Sequence, residues 1–545
     1  MGNGFSSPLD VCGTTSAGVN ATSEFRKRRR DWEKESEASM CFLSDLLDWS
    51  TLDEDAVAEK TSQPRKRTVK KDKFETFDEN GNCIPLKPES TLWYSMYITH
   101  PPLHKPKFFK KFRRRFRLPY HKFLELVDIA KEATDDDGNL YFRRWMSKDA
   151  VGTPSSPVEL MILGALRYLG RGWTFDDIEE STAIDEETHR QFFHIFIKFG
   201  EEVLYKMWVT APTTKEEVED HMHEFGLAGM NGSFASTDAT HIMWHRCSYK
   251  HRQSHMGYKM SQTARTYNLT VNHRRRILSS TQGHPARWND KTLILHDDLA
   301  RGIYEGTILS DVEFVLLEED IAGNIVECRY KGTWLIVDNG YLPWPTTIPP
   351  FKQTANQREI RWSQWVESMR KDVECTFGIL KGRWRILKAG IYLQSATSVD
   401  RVWKTCCALH NWLLEEDGLH EQWENGVRSD WEGELGEHDE EDVHADMLLP
   451  NAIQNLRTPA ELRGYDLSGI SFGNDVDLDI ARGAMVAVGG INSDDAVAAQ
   501  DGVRIVRKLS QTFFRQKLVE HFDILWRRND LVWPQRTGLP TPHYP

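Results

Sequence analysis

Hydrophobic positions along the chain fall into blocks whose period changes from helical to extended and back. Phe108, Phe112 and Phe116 recur every fourth residue within 105–122, a spacing that predicts one amphipathic helix with its rings on a single face. After Ser156, with Pro157 at the first helical position, Leu160, Leu163, Leu166 and Leu169 continue at helical spacing to Gly170 and Gly172. Thr174 opens a short helix through Ile178. Asp185 then caps a third that carries Phe192, Phe193, Phe196 and Phe199. Helix, short helix, turn and longer helix is the order of a helix-turn-helix. The third helix, however, opens on Glu186-Glu187, which is unfavourable against phosphates, so a structural three-helix bundle reads equally well.

From 233 the texture shifts to short apolar runs at 233–244, 259–271, 276–281 and 333–337 that predict strands, and helical patterns return at 360–385 and 400–414. Strands first, then alternation with helices, indicate an α/β domain with a mixed sheet. A last helix is predicted over 504–528 from Leu509, Phe513, Leu518, Phe522 and Leu525. Residues 1–90 are rich in Ser, Glu, Lys and Arg with few periodic apolar positions, the signature of a disordered tail. The expected organisation is a basic tail (1–90), a helical, helix-turn-helix-like domain (100–210), a mixed-sheet domain (230–414), an acidic and low-complexity flexible region (415–502) and a terminal helix (503–534).

Composition narrows the class. No apolar run approaches the ~18 residues of a spanning helix, so no membrane is expected. The N-terminus has no apolar core of a secretory signal. Eight cysteines without a Cys-x-x-Cys are too few for a disulfide framework or a zinc knuckle, which fits a reducing compartment.

The formal charge of −12, taken as a total, argues against a polyanionic partner. Its distribution says otherwise. Residues 415–446 alone carry −13, so the rest of the chain sums to +1, with dense basic clusters at 26–30, 65–71, 105–122 and 370–388. The two clusters in the tail suit nuclear import. Residues 105–122 hold nine Lys/Arg and no acid, which makes Arg113, Arg114 and Arg115 candidates for a phosphate backbone.

Four acids have telling surroundings. Asp238 lies in the middle of an apolar strand, where an acid is costly unless used. Asp290 follows a turn-rich stretch at a helix entry, and Asp338 ends the apolar run Trp334-Leu335-Ile336-Val337. Glu374 sits on a helix striped by Val366, Val373, Phe377 and Leu380. Acids at the ends of neighbouring strands and on a packing helix can converge on hard divalent cations. Two such ions ~3.5–4 Å apart would clamp the attacking and leaving oxygens of a phosphodiester. Arg246, Lys250 and Arg252 follow the first aspartate, and Lys381 and Arg383 follow the glutamate, as a polyanion beside carboxylates requires.

These strings, in this order, resemble the Harbinger-type DDE transposases and the nuclease-like proteins derived from them. The four blocks are Asp238-Ala239-Thr240-His241, the Pro285 to Asp290 stretch, Asp338-Asn339-Gly340-Tyr341, and Arg370 through Val373-Glu374 and Phe377-Gly378 to Trp384. The trailing Cys406-Cys407-Ala408-Leu409-His410-Asn411 is similar to a fifth family string. Ala239 and Pro285-Ala286-Arg287 depart from the family pattern. The resemblance implies an RNase H-like catalytic fold over 230–414. It also implies catalytic carboxylates Asp238, Asp338 and Glu374, and a divalent cation (Mg²⁺ or Mn²⁺) on Asp238, Asp290, Asp338 and Glu374. Either Asp290 or Asp338 can be the middle member of the triad. The partners it implies are DNA, a separate Myb-like DNA-binding protein and, as an option left open, further copies of the chain. The expected location is the nucleus. A domesticated, non-catalytic DNA-binding or adaptor protein is the alternative reading.

Overall fold

The computed structural model describes residues 75–77, 82–148, 155–257, 262–417 and 503–531. The basic clusters at 26–30 and 65–71, the acidic stretch beyond Asp417 and the low-complexity region up to 502 lie outside them, as does Lys259. All the described residues fall within the unit that begins at Phe74.

The helical block starts with α1 (Pro106–Phe116), which has proline in its first turn and buries Phe108, Phe112 and Phe116. Tyr97 meets Phe112 and Phe116 edge-on, with ring centroids 5.5 and 5.1 Å apart. The single helix expected over 105–122 is two. Arg117 ends α1 in the left-handed conformation (φ 64°) and Pro119, which has no N–H to donate, starts the next, α2 (Tyr120–Glu132). Arg117 thereby turns inward, and its Nε donates to the Gly170 carbonyl. The next three helices are α3 (Val158–Arg171), α4 (Phe175–Thr182) and α5 (Glu186–Phe199). Helices α4 and α5 start where the capping residues indicate, whereas α3 starts one residue later than expected, with Pro157 at its cap and no side-chain capping bond. Thr174 and Asp177 cap each other reciprocally, and the Asp185 carboxylate accepts from the N–H groups of Glu187 and Thr188. The phenylalanines of α5 are buried, and Glu187 at its start pairs with Arg190. A further helix, α6 (Lys215–Leu227), leads into the sheet.

The central sheet is built from β1 (Ser233–Met243), β2 (Ala264–Val271) and β3 (Ile277–Ser280), followed later in the chain by β6 (Trp334–Ile336) and β7 (Thr347–Ile348). Its order is β7-β6-β1-β2-β3. β2 is antiparallel to both of its neighbours, β1 and β3, whereas β6 runs parallel to β1 and β7 parallel to β6. The register fixes the position of one acid. The β1–β6 pairing ends at Ser236↔Ile336, while β1 continues to Met243, so Asp238 lies just where the two parallel strands part. A second sheet, β4 (Glu313–Glu319), β5 (Ile325–Lys331) and β8 (Val503–Ile505), flanks the first.

Between the strands run α7 (Tyr249–His255), α8 (Asp290–Ile294) and α9 (Asp298–Glu305). Two long helices, α10 (Gln357–Arg383) and α12 (Ala396–Glu416), are joined by the short α11 (Arg385–Ala389). The terminal helix α13 (Gln511–Arg528) packs Phe522 on Trp365 of α10 at 5.6 Å. One buried cluster runs from Tyr97 and the α1, α3 and α5 side chains through Ile242, Tyr267, Val373 and Leu380 to Leu413. The helical block and the sheet therefore share a core.

That shared core explains the Leu-His-Asn string at the end of α12. Asn411 is fully buried and serves β3 like an added strand. Its Oδ1 accepts from the Ile277 N–H at 2.9 Å, and its Nδ2 donates to the carbonyls of Ile277 and Trp208, both at 2.8 Å. The His410 Nε2 donates to the Arg275 carbonyl at 3.0 Å. Asn411→Ala leaves three backbone groups without these partners. It is expected to cost about 2–4 kcal/mol in urea unfolding, from roughly 1–3 kcal/mol for each buried group stripped of its partner and partial recovery by water.

Candidate active site

The point where β1 and β6 part gathers the acids singled out in the sequence. Asp238 has its Oδ1 on the Ala239 N–H at 2.8 Å and its Oδ2 on Arg370 Nη1 at 3.1 Å. Burial pushes its carboxyl up to about 6, the Ala239 N–H and Arg370 pull it back, and the negative charges of Asp338 and Glu374 push it up again. Two of the other three acids are thus close enough to be felt.

Asp338 follows β6 directly and closes a tight turn by accepting from the Gly340 N–H at 2.6 Å. Asp290 opens α8, whose cap is Asn289. Gly340 is the hinge between these two acids. A Cβ placed there would lie 2.4 Å from Asp290 Oδ2 and 2.9 Å from Asp338 Oδ1, so the two oxygens are within about 5.3 Å of each other. Only glycine leaves this cradle open.

Beneath it, Tyr341 is fully buried. Its hydroxyl is held well above the usual range by burial first, then by the charges of Asp238, Asp290, Asp338 and Asp297. The Tyr341 hydroxyl donates to Asn268 Oδ1 at 2.6 Å, and Asn268 Nδ2 donates to Asp297 Oδ2 at 2.6 Å. This chain ties the Asp338 turn to the middle of β2. Neither Asn268 nor Asp297 stands out by motif. The available signals were a polar residue inside a strand buried at every position and an aspartate just before the apolar start of α9.

The loop that delivers Asp290 is anchored from below. Arg265 forms a two-pronged pair with Asp400 at 2.7 and 2.6 Å, and Tyr267 donates to the same carboxylate at 2.6 Å. Arg265 also donates to the Gly283 carbonyl. A Cβ on Gly283 would meet Asp400 Oδ1 at 2.2 Å, so the loop approaches this pair as only glycine permits. His284 and Pro285 then pair with β2.

Glu374 comes from α10 and is held by cations. Arg370 Nη2 reaches its Oε1 at 2.6 Å and Lys371 Nζ its Oε2 at 2.7 Å. Among the described residues no group of three or more His, Cys, Asp or Glu is arranged to hold a metal ion. The physical reason is visible: the Arg370 guanidinium stands between Asp238 and Glu374. The structure therefore brings all four expected acids to one place, but with an internal cation among them.

The expected phosphate contacts divide. Arg246, Lys250 and Arg252 are exposed on the segment that follows β1 and on α7. Lys381 lies beside the acids, with its Nζ donating to Thr240 Oγ1 at 2.9 Å and its own pKa lowered by burial. It lines a cavity of about 330 Å³ with Thr240, His241, Met243, Leu387 and Lys388. Arg114 is half-buried, Arg115 donates to the Tyr97 hydroxyl, and Arg113 is committed to Asp417 by two bonds of 2.7 Å. Arg383 is a correction. It is 2% exposed, its pKa is lowered to about 10 by burial, and the nearest carboxylate is Asp417 at 3.9 Å. Two residues beyond Lys381 means roughly 200° around the helix, which turns Arg383 into the core and away from any phosphate.

Residues 237–411 match the family model described as DDE superfamily endonuclease. Asp238, Asp290, Asp338 and Glu374 all fall inside this match, which ends on Asn411. Over this stretch the chain is similar to the DDE superfamily endonucleases. Among curated proteins it is 22% identical over 271 residues to "Protein ALP1-like" of Arabidopsis thaliana, an alignment covering 49% of this chain. The chain spans 63% of the length of that relative. No solved structure matches. Among the described residues, no helix is long and apolar enough to cross a membrane.

Proposed function

We propose that this DDE protein is a divalent-metal-dependent DNA endonuclease of transposase descent, able in its transposase form to pass a freed 3′-hydroxyl to a target strand. The observation that carries this reading is the approach of Asp290 and Asp338 across Gly340, beside the point where β1 leaves β6 at Asp238, with Glu374 joined to Asp238 through Arg370. The sheet supports an RNase H-like assignment, since three antiparallel strands continue into two parallel ones and the acids lie at the point of divergence.

The residues present fit a hard cation. All four are oxygen donors, the Gly340 cradle leaves room between Asp290 and Asp338, and a positive group already bridges Asp238 and Glu374. When bound, Mg²⁺ or Mn²⁺ supplies neutralisation of the scissile phosphate and acidification of the attacking water. The protein's own contribution is placement. The Ala239 N–H and the Tyr341–Asn268–Asp297 chain fix the carboxylates. Lys381 offers a cation to the strand beside them, while Arg246, Lys250 and Arg252 extend the positive surface beyond β1.

With the basic clusters of the tail, this reading includes a nuclear location. It also includes reliance on a separate Myb-like protein for sequence selection, because the helical block buries the phenylalanine face of α5 and pairs the acids at its start. Assembly with further copies of the chain belongs to the same reading. One observation favours the alternative of a domesticated DNA-binding protein without catalysis: Arg370 and Lys371 occupy the acid oxygens that chemistry would need. Incubating purified full-length chain with supercoiled plasmid separates the two. Nicking with Mg²⁺ or Mn²⁺ and none in chelator is expected, and DNA binding without nicking in either metal would favour the alternative.

A further inference from the structure

Arg370 is the one cation among the described residues whose ion pairs reach both Asp238 of β1 and Glu374 of α10. Its Nη1 lies 3.1 Å from Asp238 Oδ2 and its Nη2 2.6 Å from Glu374 Oε1. The same guanidinium makes a two-pronged bond to Glu367, Nη2 to Oε1 at 2.7 Å and Nε to Oε2 at 3.1 Å. The spacing makes this possible. Glu367 and Glu374 flank Arg370 by three and four residues on one helix face, and β1 packs against that face to bring the third acid. The side chain is only 10% exposed, so these bonds form where water competes poorly.

We propose that Arg370 is a positioning residue for the cation site: it holds Asp238 and Glu374 in register in the metal-free chain and releases both when a divalent cation binds, keeping its anchor on Glu367. The inference rests on the metal-dependent reading above. A guanidinium charge bonded to both carboxylates repels a divalent cation ~2.1 Å from the same oxygens, so the Arg370 bonds and Mg²⁺ compete for Asp238 and Glu374. The exchange is made by the carboxylates: the rigid guanidinium stays in its two-pronged bond to Glu367 while the Asp238 and Glu374 side chains turn from it toward the cation. Lys371 serves as an internal contrast. It is about one-third exposed and its ion pairs are with Glu374 and Glu367 of its own helix.

Mn²⁺ binding by electron paramagnetic resonance on the full chain tests this without any need for activity. Arg370→Gln is expected to bind Mn²⁺ about tenfold tighter than wild type or more, since hydrogen bonds to charged groups of this kind are worth that much. Arg370→Lys is expected to bind several-fold tighter, because a single ammonium cannot bridge three acids. Lys371→Gln is expected to change affinity by only about twofold, as for a partly exposed pair. Thermal melts establish that each variant is folded, and Arg370→Lys carries the test if Arg370→Gln does not fold. Equal or weaker Mn²⁺ binding in both Arg370 variants would overturn the proposal. So would a Lys371→Gln gain as large as that of Arg370→Gln, which would reduce the effect to lost positive charge. Absence of Mn²⁺ binding in every form would instead remove the metal-dependent reading, and the proposal with it.

Discussion

Asp238→Asn and Glu374→Gln are each expected to lower the proposed metal-dependent DNA cleavage by on the order of a thousandfold or more, with the protein still folded and still bound to DNA. The size follows from loss of a charged oxygen where charge develops during the reaction, an effect comparable to removing a principal electrostatic contact from other active sites. The two substitutions differ in what they disturb. Asp238 is buried against the Ala239 N–H and Arg370, so its amide isostere keeps the strand packed but turns an acceptor into a donor facing a guanidinium. Glu374 is more exposed and loses its pairs with Arg370 and Lys371. Single-turnover cleavage of labelled plasmid, with DNA affinity measured separately by anisotropy, reads the rate and the binding apart. A loss of binding equal to the loss of rate would assign these acids to the scaffold.

Asp400→Ala is expected to destabilise the fold by about 3–5 kcal/mol, because it removes the carboxylate that pairs the buried Arg265. Both side chains are 9% exposed. The guanidinium loses both of its bonds to the carboxylate, and the Tyr267 hydroxyl loses its acceptor. The consequence extends beyond stability. Gly283 rests on this pair, and the loop it begins ends at Asp290. Urea unfolding followed by tryptophan fluorescence measures the first effect, and Mn²⁺ affinity measures the second. A destabilisation below about 1 kcal/mol would mean that water or another acid replaces Asp400.

Much of the fold was legible because its start signals are local. Thr174 with Asp177, and Asp185 before Glu186, announce their helices in the sequence and cap them in the structure. The run Trp334–Ile336 is apolar and buried at every position because both faces of this part of the sheet are covered. Among the elements not read from the sequence, two were illegible for an equally physical reason. Strand β5 is mostly exposed, with Ile325 and Val326 facing solvent, so it has no alternating apolar signal. Helix α6 buries only Val218 and Phe225 among charged neighbours.

The candidate site divides in the same way. The four acids were recognisable from motif order, and the structure brings them together. The roles of the cations were not recognisable, because they depend on helix phase and on what packs opposite. Arg383 looks like a partner of Lys381 in the sequence but faces the core, and Arg370 looks like a phosphate ligand but lies on the acids. Asn268 and Asp297 became meaningful only once β2 and α9 were seen to meet behind Tyr341.

The central claim, that the acids gathered at the divergence of β1 and β6 cleave DNA with a divalent cation, has one direct test. Purified full-length chain is incubated with supercoiled plasmid in Mg²⁺, in Mn²⁺ and in chelator, and the new ends are analysed. The account predicts nicks with 3′-hydroxyl and 5′-phosphate ends in either metal, none in chelator, and none from Asp238→Asn. Intact plasmid in both metals, or nicking that Asp238→Asn retains, would contradict it.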